Sequence, residues 1–167
     1  MSIEGIFQIT LIIATLLCSL VAGFLFAFAV VVMPGIKTLS DQEFIRAFQV
    51  MDRIIQNNQP SFVIVWIGSI VALVASAILG IGQFEKVDHL LIIFALLAYL
   101  LGVQLPTFTI NIPLNNKLQT LKVDDLDKTA QKAARMDFES RWILWNLIRT
   151  IFASLVSSLL IILLLRL

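Results

Sequence analysis

The composition of this chain excludes an ordinary soluble domain. Of its 167 residues, 59% are hydrophobic and 14% are charged, with a mean hydropathy of +0.97, whereas apolar residues make up about half of a typical soluble domain. The net charge of +1, with no dense basic cluster, gives no support for nucleic-acid binding. One cysteine and one histidine are too few for the usual zinc, haem or iron–sulfur ligand sets, so we expect no metal and no cofactor.

Four apolar stretches are long enough to cross a bilayer, which takes about 20 residues of helix. They cover about residues 5–33, 61–83, 89–110 and 142–165. We therefore expect an all-α fold: a polytopic membrane protein with a four-transmembrane-helix bundle, in which residues 1–167 form a single membrane domain. The lipid bilayer is therefore its first expected partner. The sequence is compatible with a monomer and with an oligomer.

The connection between the first two spans is amphipathic at about residues 41–56. Its apolar residues recur at helical spacing, with charged and amide side chains between them. Ser40 and Glu43 form a capping-box pattern at its start, and the run from Asn57 to Pro60 marks its end. These features predict a peripheral helix that lies on the membrane surface or folds against the mouth of the bundle.

The connection between the last two spans predicts a second amphipathic peripheral helix, at about residues 124–138. It opens with acids, at Asp124, Asp125 and Asp127, and continues with bases as far as Arg135, the order that suits a helix dipole. Because an even number of spans separates the two long connections, they should share one side of the membrane.

The basic residues predict which side that is. The two long connections carry eight lysines and arginines, from Lys37 to Arg135, while the opposite side has only Lys86 and Arg166. By the positive-inside rule the long connections are cytoplasmic and both termini lie outside. We expect an integral membrane protein of the plasma (inner) membrane.

The last span carries a polar stripe. At 100° per residue, Trp145, Asn146 and Arg149 share one face of the helix with Trp142. If Trp142 is an interface anchor, Arg149 lies about 10 Å into the hydrocarbon, where a guanidinium costs roughly 2.5–3.5 kcal/mol on insertion scales. No carboxylate occurs within the four spans. The partners of this cation are therefore amides, backbone carbonyls, an acid from a peripheral helix, or a ligand anion.

The third span carries a second polar stripe, which ends on the same side as Trp142. It consists of Gln104, Thr107, Phe108, Asn111 and Asn115, at steps of three and four residues. Polar residues in spans often only hold helices together, but an intramembrane charge without an acid is costly in that role. We therefore predict a pocket between spans three and four. The predicted substrate-binding residues are Asn57, Asn58, Asn111, Asn115, Trp142, Trp145, Asn146 and Arg149.

Several of these motifs resemble a known family, the anthrone-oxygenase-like group of small four-span membrane proteins, most of them uncharacterised. The motifs are Met33-Pro34, the pair Asn57 and Asn58, NIPLNNKL from Asn111, and RWILWNLIRT from Arg141, which is similar to the family's W-N-x-x-R-T pattern. The resemblance covers nearly the whole chain. It implies a cofactor-independent oxygenase, since characterised fungal relatives oxidise polyketide anthrones to anthraquinones without a metal or flavin.

The resemblance also implies roles for the predicted pocket. Arg149 with the nearby asparagines would stabilise a substrate anion, and Trp142, Trp145 and Phe108 would hold the aromatic ring. In many relatives a histidine follows the asparagine of the last motif, whereas here that place is Leu147. The sequence therefore names no catalytic base. The nearest proton acceptors are Asp52, Asp137 and Glu139, all on the peripheral segments.

Three functions follow as hypotheses. The first is a cofactor-independent oxygenase, or monooxygenase, of an anthrone-like or quinol-like aromatic. The second is a non-catalytic protein that binds or transports a small apolar molecule, and the third is a structural membrane subunit whose polar stripes only lock helices together.

Overall fold

The computed structural model describes residues 2–81 and 86–166, in which the regular structure is helical throughout, with no strand. Five long helices are numbered here in chain order. They are α1 (Ile3–Ile36), α2 (Asp41–Gln56), α3 (Pro60–Leu79), α4 (Val87–Gln119) and α5 (Lys128–Arg166). All but α2 are long and apolar enough to cross a membrane. The predicted fold class, a four-helix membrane bundle, is confirmed, and the protein is an integral membrane protein.

Prolines shape the interior of α1 and α4. A five-residue π-helical segment comes just before each of three prolines: Phe28–Val32 before Pro34, Leu100–Gln104 before Pro106, and Thr107–Asn111 before Pro113. A proline ring clashes with the carbonyl four residues earlier and offers it no N–H. The wider π turn relieves this clash: the Met33 N–H, for example, bonds five residues back to the carbonyl of Phe28.

The third span is longer than predicted. The sequence pattern ended it at about residue 110, whereas α4 continues through Pro113 to Gln119. Pro113 occupies the start of the α-helical stretch Ile112–Gln119, directly after a π segment. At such a position the missing proline N–H and its fixed φ are tolerated, so the helix does not end there.

The second long connection also differs from the prediction. The peripheral helix expected at about residues 124–138 is not a separate element: Val123–Asp125 is a 3₁₀ turn, and α5 runs unbroken from Lys128 to Arg166. The Asp127 carboxylate accepts the Ala130 N–H at 2.8 Å, which fixes the start of α5. No glycine or proline follows before Trp142 to stop the helix.

The two long connections meet at one end of the bundle, as the even number of intervening spans predicted. Arg46 of α2 forms an ion pair with Asp124, and Gln42 donates to the same carboxylate at 3.1 Å. The aromatic face of α2 packs on α5, with the rings of Phe48 and Phe138 4.5 Å apart. This end, which carries α2, is called the peripheral end below. The side of the membrane that it faces stays a prediction.

The core has two apolar clusters. The larger one fills the bundle with fully buried residues such as Leu11, Leu73, Ile92 and Leu160. The smaller one lies at the peripheral end, around Phe44. The candidate site lies between these clusters, and its walls include members of both.

Candidate functional site

All five helices contribute side chains to one cavity of about 280 Å³, close to the lower end of the roughly 300–1,000 Å³ of small-molecule pockets. Its wall is mainly aromatic. Six rings follow one another at centroid distances of 4.9–5.7 Å, in the order Trp66, Phe62, Phe24, Phe28, Trp142 and Phe48. We call these six residues the aromatic belt. Such a surface suits a flat apolar ligand, because ring faces stack on it without polar groups to satisfy.

Arg149 brings a cation to the wall of this cavity. Only 5% of the residue is exposed, yet among residues 2–81 and 86–166 no carboxylate lies within ion-pair distance of it. Its Nη1 donates to the Thr107 hydroxyl at 3.0 Å, and its Nη2 donates to the Asn146 amide oxygen at 2.9 Å. The structure therefore pairs this cation with neutral side chains, and an amide was among the partners that the sequence left open.

Both neutral partners are held in place by the backbone. The Thr107 hydroxyl donates to the carbonyl of Val103 at 2.7 Å, so its lone pair faces the guanidinium. The Asn146 amide nitrogen donates to the carbonyl of Leu25 at 3.1 Å, so its oxygen faces the guanidinium. Helices α1, α4 and α5 are thereby joined at Arg149.

Two polar atoms of the cavity residues remain unmatched within the described part of the chain. They are the Nε of Arg149, a donor, and the Oδ1 of Asn111, an acceptor. The Asn111 amide nitrogen makes one long bond, at 3.4 Å, to the carbonyl of Trp142. Buried polar groups without a partner are costly. Both residues line the cavity, so a polar group of a ligand there would lie beside a cation and an amide whose hydrogen bonding is incomplete.

A carboxylate, that of Asp52 on α2, lies on the wall at the peripheral end. The residue is 4% exposed, and three amide groups donate to it. Its Oδ1 accepts from Asn115 at 2.8 Å, and its Oδ2 accepts from Gln56 at 2.7 Å and from Gln119 at 3.0 Å. Since a carboxylate offers about four lone-pair sites, one site on Oδ1 is left to accept a proton.

Asn115 is oriented by the aromatic belt. The Trp142 indole N–H can only donate, and it donates to the Asn115 amide oxygen at 2.8 Å. The amide nitrogen of Asn115 must then face Asp52. A chain of hydrogen bonds therefore links the indole that stacks in the belt to the carboxylate beside it.

The other two acids weighed as bases lie outside the cavity. Asp137 pairs with Lys117 at 2.7 Å, and Glu139 pairs with Arg135 at 2.7 Å. Neither contributes to the cavity wall. Of the three proton acceptors that the sequence offered, the structure brings only Asp52 to the cavity.

Five of the eight predicted site residues lie on the cavity wall. They are Asn111, Asn115, Trp142, Asn146 and Arg149. Trp145 is partly buried but does not reach the wall, because it lies about 60° around α5 from Trp142. Asn57 and Asn58 are exposed and also lie outside the cavity.

Asn57 and Asn58 instead end α2. Asn57 is the last capping position of that helix, and Asn58 has a φ of 57°. Asparagine tolerates this left-handed conformation better than most residues do. Their proximity to span two therefore reflects the turn between α2 and α3, and the structure does not bring them to the cavity with the other predicted residues.

The position of the family's frequent histidine, Leu147, faces away from the site. Leu147 is an exposed residue and does not line the cavity. Leucine in place of the histidine of many relatives therefore removes no functional group from the cavity.

The predicted site residues did not include the aromatic belt residues of α1, α2 and α3. Nothing in the sequence brings the distant Phe48, Phe62 and Trp66 to the phenylalanines near the end of the first span. Helical spacing within one segment carries no signal for such contacts between helices. The signal that did exist was the clustering of phenylalanine before Pro34.

Comparison with known families identifies the chain. A sequence model of the family described as anthrone oxygenase matches residues 48–159, about two thirds of the chain. The chain belongs to the anthrone oxygenase family. The match includes every cavity residue of α2 to α5. No curated protein and no solved structure matches the chain.

Proposed function

We propose that this member of the anthrone oxygenase family is a cofactor-independent oxygenase that acts on a flat aromatic of the anthrone or quinol type. The observation that carries the proposal is Arg149, a buried cation that lines an aromatic cavity and has no carboxylate partner among the described residues. An anion that develops on a substrate oxygen would be stabilised there without any change in the protein.

The first step is ionisation of the substrate. Asp52 takes a proton from the acidic ring carbon of the substrate, and the electron pair moves onto the ring oxygen, which Arg149 stabilises. The amides that surround Asp52 hold it toward the cavity. Both residues line the same cavity, where the aromatic belt would hold the ring between them.

The second step uses dioxygen as the oxidant. The enolate gives one electron to dioxygen, and the two radicals combine to form a carbon–oxygen bond. Protonation of the distal oxygen by Asp52, now an acid, gives a hydroperoxide. The same carbon then loses its second proton while the oxygen–oxygen bond breaks, and hydroxide and the proton leave as water. The substrate CH₂ becomes a carbonyl, and one oxygen atom of dioxygen is retained.

The test is oxygen uptake by the purified protein in lipid nanodiscs, with a panel of anthrones and hydroquinones. With an anthrone and ¹⁸O₂ we expect one labelled oxygen in the anthraquinone and one in water, whereas a hydroquinone would give an unlabelled quinone and labelled hydrogen peroxide. Arg149→Gln should lower kcat by roughly 10²–10³-fold, the usual cost of a lost oxyanion donor.

The matched control is Arg53→Gln, the same change at an exposed arginine of α2 outside the cavity; it should keep wild-type activity. No oxygen uptake across the panel, together with tight binding of an anthrone, would refute the oxygenase. That result would support the second candidate, a protein that binds or transports such a molecule. Absence of a cofactor from the reaction stays a prediction.

A further inference from the structure

Five residues of the cavity wall are also exposed on the outer surface of the bundle. Three are apolar: Ile67 of α3 is 50% exposed, and Phe108 and Ile112 of α4 are 55% and 37% exposed. The other two, Gln56 and Asn116, are polar and lie at the peripheral end, where they bond to each other. The three apolar residues of α3 and α4 mark a mouth without a polar rim.

The mouth lies at membrane depth. Ile67 is seven residues into α3 from Pro60, which places it about 10 Å along the helix from the peripheral end. That distance is well inside a hydrocarbon layer about 30 Å thick. Ile64 and Val71, on neighbouring turns of α3, are 66% and 60% exposed, as lipid-facing positions of a span are.

The packing of α3 explains why the mouth is there. Its main neighbours are α1 and the first, α-helical part of α4, which ends at Tyr99. Beyond that part, the Trp66 indole donates to Gln104 of α4 at 3.0 Å. Residues of α3 and of the later segment Thr107–Asn111 both line the cavity, which lies between them.

The peripheral end, by contrast, is closed by polar bonds between α2 and the end of α4. The Gln119 amide donates to the Gln49 carbonyl at 2.8 Å, and the Gln49 amide donates to the carbonyl of Leu118 at 2.8 Å. On the cavity wall itself, Gln56 donates to Asn116 at 3.2 Å. These bonds hold α2 against the end of α4, across the peripheral end of the cavity.

We propose that the cavity opens sideways into the bilayer between α3 and α4, and that its substrate is an uncharged aromatic dissolved in the membrane. This inference rests on the proposed function for the identity of the site. The mouth is defined by Ile67, Phe108 and Ile112, and is called the lateral mouth here.

The lateral mouth restricts the substrate class. A phosphate, carboxylate or other permanent charge would have to cross hydrocarbon to reach it, at a cost of several kcal/mol. The substrate therefore enters as a neutral molecule with an ionisable carbon or hydroxyl. It acquires charge only inside the cavity, where Asp52 takes its proton and Arg149 holds the anion.

The experiment measures binding without turnover. Anthrone is mixed with the protein in nanodiscs under nitrogen, and its association and dissociation are followed by quenching of tryptophan fluorescence, to which Trp66 and Trp142 of the wall contribute. The test variant Ile67→Phe/Ile112→Phe narrows the lateral mouth. Its control, Ile64→Phe/Val71→Phe, adds the same rings at exposed positions of α3 that do not line the cavity.

A further variant, Gln49→Leu, removes the bonds from α2 to the carbonyls of Leu118 and Leu121 that help close the peripheral end, at a residue that does not line the cavity. If the lateral mouth is the entrance, Ile67→Phe/Ile112→Phe should slow association and dissociation equally, by about tenfold or more, and leave Kd unchanged. The control and Gln49→Leu should bind at the wild-type rate. A melting curve for each variant verifies that it is folded.

Faster association in Gln49→Leu, with no slowing in Ile67→Phe/Ile112→Phe, would overturn the proposal and place the entrance at the aqueous end. Because the assay needs no oxygen, its outcome is separate from that of the oxygenase test. If the protein consumes no oxygen, but Ile67→Phe/Ile112→Phe slows association and dissociation at an unchanged Kd, the lateral mouth is supported and the proposed reaction is refuted.

Discussion

Two arginines of α5, Arg135 and Arg149, are both largely buried but have opposite surroundings. The side chain of Arg135 is 13% exposed and bonds to Glu139 at 2.7 Å, to Asp41 at 3.1 Å and to two backbone carbonyls. Its guanidinium carbon also lies 4.4 Å from the centre of the Phe44 ring. Every nitrogen of Arg135 therefore has a partner.

Arg149 has no carboxylate among the described residues, and its Nε is unmatched. The nearest ring, that of Trp142, is 5.8 Å from its guanidinium carbon. A cation whose donors are all bonded, such as Arg135, stabilises the fold and has no free donor for a ligand. An unsatisfied one is a cost to the fold, so we infer that it is retained for what binds there.

The largest expected effect is on kcat, for the reaction proposed at the cavity that Arg149 lines. Asp52→Asn keeps the size of the side chain but cannot take up the substrate proton at neutral pH. We expect kcat for anthrone oxidation to fall by roughly 10²–10⁴-fold, the usual contribution of a general base. Asp124→Asn, at an exposed acid outside the cavity, is the matched control. A wild-type kcat in Asp52→Asn would show that Asp52 is not the general base.

The next effect separates the two arginines by stability. Arg135→Gln leaves Glu139 and Asp41 without their cation and should lower the free energy of unfolding by roughly 3 kcal/mol, the lower end for a broken buried pair because Asp41 is partly exposed. Arg149→Gln removes an unpaired buried charge together with its bonds to Thr107 and Asn146, two opposing effects, so the free energy of unfolding should fall by less than in Arg135→Gln. Denaturant unfolding in mixed micelles measures both. A larger loss in Arg149→Gln than in Arg135→Gln would favour a structural role for Arg149.

A third prediction concerns how the helix that carries Thr107 is held against α5. A Cβ on Gly102 would lie 2.2 Å from the ring of Phe152 and 2.7 Å from its Cβ. Gly102→Ala should therefore force α4 away from α5 and destabilise the protein by about 1–3 kcal/mol. Gly23→Ala is the control, since nothing lies within 4 Å of a Cβ there. Equal melting temperatures for the two variants would contradict the close packing.

The smallest effect is a pH dependence at the start of α2. The Ser40 hydroxyl and backbone N–H bond to the Glu43 carboxylate and lower its pKa. A lowered folded-state pKa means that this stabilisation is complete above the ordinary pKa of a glutamate and is lost as the pH falls through the lowered value. We expect the melting temperature of wild type, relative to Glu43→Gln, to be slightly higher at pH 7 and equal in strong acid. A difference that persists in acid would contradict this.

The sequence alone determined the membrane class and the four spans. Long apolar runs settle both, because a bilayer demands about 20 apolar residues for each crossing. The charge of Arg149 without an acid in any span predicted a functional site, because that combination is costly in hydrocarbon, and that site stays a prediction. The stripes on α4 and α5 could be read because helical spacing fixes a face within one segment.

Only the tertiary structure decided which distant residues complete the site. Asp52 and the aromatic belt residues Phe24 and Phe62 come from three different helices, and no periodicity within a segment predicts how helices face one another. For the same reason the sequence could not show that Asn57 and Asn58 end a helix outside the cavity wall. Local sequence fixes which way a side chain points from its own helix. Which side chains of different helices line one cavity depends on the packing of the whole bundle.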